Sequence, residues 1–235
     1  MLHTFIGNLG HLFIIVSFIA SLVATYAFFI SNYNRNSEIK SWKIFARSAF
    51  LIHTFSIVAV IVCLFVIVYK QYYEYHYAWS HSSNNLPAQY MIACFWEGQE
   101  GSFLLWIFWQ SLLGLVLIKT LKKSNGVHVG TLKDNSWEAP VMAIFSLVQA
   151  FICSMILGVV IFNIKIGSSP FILLRDFMTE APVFKTNPDF IPEDGTGLNP
   201  LLQNYWMVIH PPTLFLGFSA VLVPAAFAYA GLWQK

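Results

Sequence analysis

Charge is scarce in this sequence. Asp, Glu, Lys and Arg make up 10% of its 235 residues, against about 25% in an ordinary soluble domain. Hydrophobic residues make up 57%. No single core of this size buries that much apolar surface, so a soluble globular fold is excluded. A disordered chain is excluded by the same hydrophobicity. Thirteen basic residues against eleven acidic ones leave a net charge of +2, which gives nucleic acid no electrostatic footprint. Cysteine is scarce too. Cys63, Cys94 and Cys153 are odd in number and form no CxxC. That excludes a disulfide framework and argues against a thiol-exchange site or a self-attached c-type haem. The bland reading is three small buried hydrophobes. Alternation with period two is missing as well, which argues against an outer-membrane barrel.

What is present is length in apolar runs. Mean hydropathy is +0.63, and 22 phenylalanines contribute to an aromatic content of 17%. A bilayer core needs about 20 apolar residues. Five stretches qualify, over Leu9–Ile30, Ala49–Tyr69, Phe103–Leu121, Ala139–Phe162 and Val208–Trp233. In lipid each must be a helix, because every backbone polar group has to be satisfied within the segment. The expected fold class is therefore all-α: a polytopic membrane protein of about five transmembrane helices, forming one membrane domain over residues 1–235. The N-terminus has no basic n-region and no small-residue cleavage site, so it reads as a retained first helix.

Lys and Arg set the expected orientation. The first connection carries Arg35, Lys40, Lys43 and Arg47, and the third carries Lys122, Lys123 and Lys133. The positive-inside rule puts these two in the cytoplasm. The N-terminus and the two long connections then lie in the periplasm, together with Glu74, Glu97, Glu100, Asp176, Glu180, Asp189, Glu193 and Asp194. The longer connection holds five prolines and Gly195-Thr196-Gly197, and reads as ordered irregular structure. Ser17, Ser21, Ala24 and Ala27 form a small-residue stripe suited to close helix packing. Gly217, Ala220 and Pro224 mark the last helix, with a kink expected at Pro224.

Two motifs carry candidate chemistry. The first is Trp206-Met207-Val208-Ile209-His210-Pro211-Pro212. Proline favours the first helical position, and the residue before a proline is pushed out of the α region. His210 is thus expected just outside the last helix, at the lipid–water boundary. It is either an imidazole available to a metal or an interfacial residue bonding water. The second is Trp96-Glu97-Gly98-Gln99-Glu100-Gly101-Ser102. As a helix it would put Glu97 and Glu100 on one face. Acidic residues in the first turn complement the helix dipole; proton handling is the alternative. His53 and His11 lie at opposite depths and read as packed or pore-facing. His3, His76, His81 and His128 read as exposed.

The run WEGQEGSFLLW (Trp96–Trp106), followed by GLNPLLQNYWMVIHPPTLFLGF (Gly197–Phe218), resembles the N-terminal part of the CcmF-type cytochrome c haem lyase subunits. Five helices in this order and Leu86-Pro87 before the third fit the same pattern. NrfE-type subunits share it. The resemblance implies cytochrome c biogenesis at the outer face of the bacterial inner membrane. There b-type haem in transit would be joined through its vinyl groups to the thiols of CxxCH in apocytochrome c. It implies that His210 is an axial haem ligand and so binds haem iron, with Trp206 and Pro211 beside it. Implied partners are a WWD-containing remainder of the lyase, other cytochrome c maturation subunits, apocytochrome c and membrane lipid.

Two departures stand out. Where the family reads H-E-G-S, Gln99 replaces the histidine. The WWD segment is absent, so the chain is expected to be a fragment or a split N-terminal part. A competing function is a non-catalytic scaffold or docking subunit. A transporter or quinone-reactive subunit would need intramembrane charges or facing histidine pairs, which the spans do not offer.

Overall fold

The computed structural model describes residues 2–33, 39–124 and 137–234. Five long helices dominate: α1 (Thr4–Tyr33), α2 (Ile39–Tyr69), α5 (Gln99–Ser124), α6 (Glu138–Met155) and α9 (Tyr205–Trp233). All five are long and apolar enough to cross a membrane. The all-α polytopic reading therefore holds. Two short helices, α3 (His76–His81) and α4 (Ala88–Glu97), lie between α2 and α5. A hairpin of β1 (Val159–Ile161) and β2 (Ile164–Ile166) follows α6, then α7 (Leu174–Phe177), α8 (Pro182–Thr186) and a 3-10 turn at Pro200–Leu202. These pieces gather at one end of the bundle, where α2 and α6 finish and α1, α5 and α9 begin. We call it the loop end.

The core is built by close approach. Ser17, Ser21, Ala24 and Ala27, the small-residue stripe, are all buried, and α1 packs against α2 and α6. In lipid, where helices gain no hydrophobic drive toward each other, small side chains let backbones come near enough for dispersion to act. Gly114 does the same on α5, its Cα lying against the rings of Phe50 and Phe145.

Two charged or titratable groups inside the bundle, His53 and Arg47, are paired, whereas Gln110 Oε1, Ser146 Oγ and Gln149 Oε1 are buried without a partner among the described residues. His53 is fully buried. Its Nδ1 lies 3.0 Å from the Ser17 carbonyl and its Nε2 lies 3.2 Å from Ser111 Oγ, which accepts from Gln149 Nε2 at 3.1 Å. A carbonyl only accepts, so Nδ1 carries the proton and Nε2 accepts from Ser111. His53 is a packed histidine, with no second imidazole facing it among the described residues. At the opposite end, Arg47 Nε and Nη2 each reach a Glu138 carboxylate oxygen at 2.6 Å. Arg47 therefore belongs to α2, as do Lys40 and Lys43, rather than to the first connection. Arg35, His128 and Lys133 lie outside the described residues.

The fourth span is shorter than the sequence suggests. It stops at Met155, not Phe162, because Gly158 adopts φ +62° and the chain turns back at Phe162 (φ 49°) and Asn163 (φ 63°). Two consecutive left-handed residues make a primed turn, the one that matches strand twist. Val159-Val160-Ile161 is equally apolar as helix or strand, and the turn decides.

Candidate functional site

The WEGQEGS segment is broken rather than continuous. Pro87 precedes α4, which ends at Glu97; Gly98 is extended (ψ 157°), and α5 starts at Gln99. Glu97 and Glu100 therefore sit on different helices and do not share a face. The break is held by packing that only glycine permits. A Cβ on Gly98 would meet Tyr77 Cε2 at 2.5 Å and His81 Nε2 at 2.7 Å, and one on Gly101 would collide with the Phe95 carbonyl and the Tyr77 hydroxyl. Tyr77 donates to the Phe95 carbonyl at 2.7 Å, and Ser102 Oγ donates to the Trp96 carbonyl at 2.8 Å. The last carbonyls of α4 are thus satisfied by side chains from elsewhere.

Two histidines of α3 lie near this break. His81 Nδ1 lies 3.1 Å from Glu97 Oε2. His76 stacks on Phe177 with ring centroids 3.6 Å apart. Burial pushes its pKa down, the nearby Glu100 carboxylate partly counters this, and His81 adds to the lowering. His3 lies 2.8 Å from Glu74 Oε1 and stacks on Tyr72. His76 and His81 are half-buried rather than exposed, and all three have partners. Short-range sequence reading missed these pairings because each joins residues from different elements.

The two long connections form one layer. His76 N donates to the Ile172 carbonyl at 3.0 Å and Leu174 N to the Glu74 carbonyl at 2.7 Å. Thr196 N donates to the Trp79 carbonyl at 2.8 Å, and Asn84 N to Asp194 Oδ1 at 2.8 Å. Tyr73 donates to Asn84 Oδ1 at 3.0 Å. Burial and the Asp194 charge push that phenol up to about 12.

This layer delivers the chain to α9. Asn199 caps the 3-10 turn through Leu201 N, and Asn204 Oδ1 caps α9 by accepting from Met207 N at 3.2 Å. Because the cap falls at Asn204, α9 starts at Tyr205 and His210 lies inside it, not before it. Pro211 and Pro212 are helical too. A helical proline leaves the carbonyl four residues earlier without its N–H. For Pro211 that carbonyl is Met207, and it accepts instead from Trp96 Nε1 at 3.2 Å. The two motifs singled out in the sequence are therefore joined by one hydrogen bond.

His210 is exposed. It is the only histidine among the described residues with neither a hydrogen-bond partner nor an aromatic ring against it. Trp206, Leu214 and Gly217 share its helix face at spacings of three to four. All three are exposed, and nothing lies within 4 Å of a Cβ placed on Gly217. The face beside the imidazole is open.

Residues 96–235 match the sequence pattern of the Cytochrome C assembly protein family. The chain belongs to that family. The matched span starts at Trp96 and holds both motifs. Among relatives of this family, the cytochrome c-type biogenesis protein CcmF of Haemophilus influenzae is 31% identical over 160 residues, 68% of this chain and 20% of its own length. CcmF of Pseudomonas aeruginosa is 27% identical over 233 residues, 97% of this chain and 30% of its own length. The chain thus spans between a fifth and a third of these relatives. A solved structure of the cytochrome c haem lyase CcmF superposes with a TM-score of 0.66 at 20% identity, over all of this chain and 31% of that one. It shares the fold.

Proposed function

We propose that the chain handles haem for cytochrome c biogenesis, presenting His210 as one axial ligand at the outer face of the inner membrane. The observation that carries this reading is the imidazole itself: exposed, unpartnered and held on the first turns of a capped helix. The donor set fits the group. Neutral imidazole is a common haem ligand. Trp206 and Leu214 give an apolar flank for a porphyrin, and Gly217 leaves space two turns along. Haem is the substrate here, and its vinyl groups supply the carbon–carbon double bonds to which the CxxCH thiols add.

In this mechanism the chain orients rather than reacts. Pro211 frees the Met207 carbonyl, Trp96 takes it, and the start of α9 is fixed against α4. That fixes the depth and direction of the His210 side chain, which is the kind of positioning that lowers the cost of bringing two reactants together. Trp96 and Ser102 act as positioning residues. Glu97, through His81, and Gly101, through its packing on Phe95 and Tyr77, build the helix break that holds Trp96 in place, and Glu100 lies in the first turn of α5 beyond it. The second axial ligand and the apocytochrome contacts come from the WWD-containing part and from other maturation subunits.

The test is His210→Ala in the complete assembly. Bound haem falls and cytochrome c maturation is lost, while protein level stays normal. Unchanged haem absorbance in that variant favours a scaffold that docks partners instead.

A further inference from the structure

The apolar run that ends α6 does not stop with the helix. The hairpin reads Val159-Val160-Ile161-Phe162-Asn163-Ile164-Lys165-Ile166. Val160, Ile161, Phe162 and Ile164 are exposed, Phe162 to 94%. A lone two-stranded hairpin is marginal in water, yet this one is pinned at its base. Val159 and Ile166 pack on the core. Ser168 N donates to the Met155 carbonyl at 2.9 Å, and Gly167, at φ +69°, fits against the Ser154 and Met155 carbonyls. The tip is therefore held in place with its apolar side chains outward.

Phe162 itself occupies a left-handed position (φ 49°), a disfavoured conformation for a bulky residue and one that Gly or Asn takes at less cost. Strain of this kind persists where the surroundings hold it and points to a use for the side chain. The location says which use. The 18 residues of α6 rise about 27 Å, against a hydrocarbon core of about 30 Å. The hairpin thus leaves the helix at the membrane boundary. On α6, Leu147 and Phe151 are exposed four residues apart, so a lipid-facing stripe runs toward the hairpin. Lys165 is its one charge, on a stem long enough to reach headgroups.

We propose that the β1–β2 hairpin is an interfacial anchor, inserted tip first, with Phe162, Ile161 and Ile164 and, on the opposite face, Val160 at the headgroup–acyl boundary of the leaflet at the loop end. The occupant is lipid, because the exposed surface continues the lipid-facing belt of α6.

Cys63, Cys94 and Cys153 are buried, so a nitroxide reagent labels an introduced thiol. Phe162→Cys and, on the strand and independent of the turn, Val160→Cys are labelled in the full chain. The samples are bilayers of phosphatidylethanolamine and phosphatidylglycerol. Collision rates are read with oxygen, which partitions into lipid, and with a water-soluble nickel chelate. Glu180→Cys, at a position 90% exposed on a surface loop, serves as the aqueous reference. Oxygen is expected to dominate severalfold at 160 and 162 and the chelate at 180. Chelate dominance at 160 and 162 overturns the anchor. Poor access by both reagents overturns lipid as the occupant and points to a protein partner.

Discussion

Trp96→Phe removes the indole N–H that meets the Met207 carbonyl at 3.2 Å. A neutral hydrogen bond contributes about 1 kcal/mol net, and a buried carbonyl left without a donor costs roughly 1–3 kcal/mol. Loss of indole packing adds to this, so the single variant does not isolate the bond. Pro211→Ala supplies what is needed. Alanine at 211 carries an N–H that can reach the Met207 carbonyl in the ordinary i→i−4 pattern. In that background the carbonyl no longer depends on Trp96, and Trp96→Phe costs only the packing. The double-mutant cycle should give a coupling of about 1–2 kcal/mol. Equilibrium unfolding in detergent, on all four proteins, measures it. Equal costs of Trp96→Phe in both backgrounds would refute the idea that the indole replaces the backbone donor.

Other substitutions probe the frame around the site. Glu138→Ala strands Arg47 beside the buried end of α6 and should destabilise by about 3 kcal/mol; replacing both residues by Met should cost much less, by the same unfolding assay. Gly101→Ala drives a methyl into the Phe95 carbonyl and the Tyr77 hydroxyl, and folded yield should fall sharply, whereas Gly217→Ala, in open space, should leave it unchanged. His76 titrates below its ordinary 6.5, so the unfolded chain protonates first as pH falls. Its contribution is present above about pH 6.5 and is lost through the range below, down to the lowered folded value. His76→Phe keeps the stack on Phe177 and should lessen the stability drop between about pH 7.5 and about pH 5.5; an unchanged drop assigns it to other groups.

The five spans and the small-residue stripe were legible because lipid demands long apolar helices and small contacts. The end of α6 was not. Val159-Val160-Ile161 is apolar in either form, and only Gly158 and the Phe162-Asn163 turn separate them. A continuous helix through Trp96–Ser102 was the natural reading of the pattern. The break at Gly98 depends on Tyr77 and His81 arriving from α3, which no local rule reports. The proline rule placed His210 outside α9, but Asn204 caps earlier and Trp96 satisfies the carbonyl that Pro211 frees. In each case a long-range partner overrode a sound local preference.

Haem spectroscopy with residue 210 substituted asks the functional question most directly. His210→Cys in the complete assembly replaces an imidazole with a thiolate, and axial ligand identity sets haem electronics. The haem absorption spectrum should shift, and His210→Gly should recover haem when free imidazole is added. A spectrum and haem content identical to the parent protein in both variants would contradict a bond between His210 and the iron.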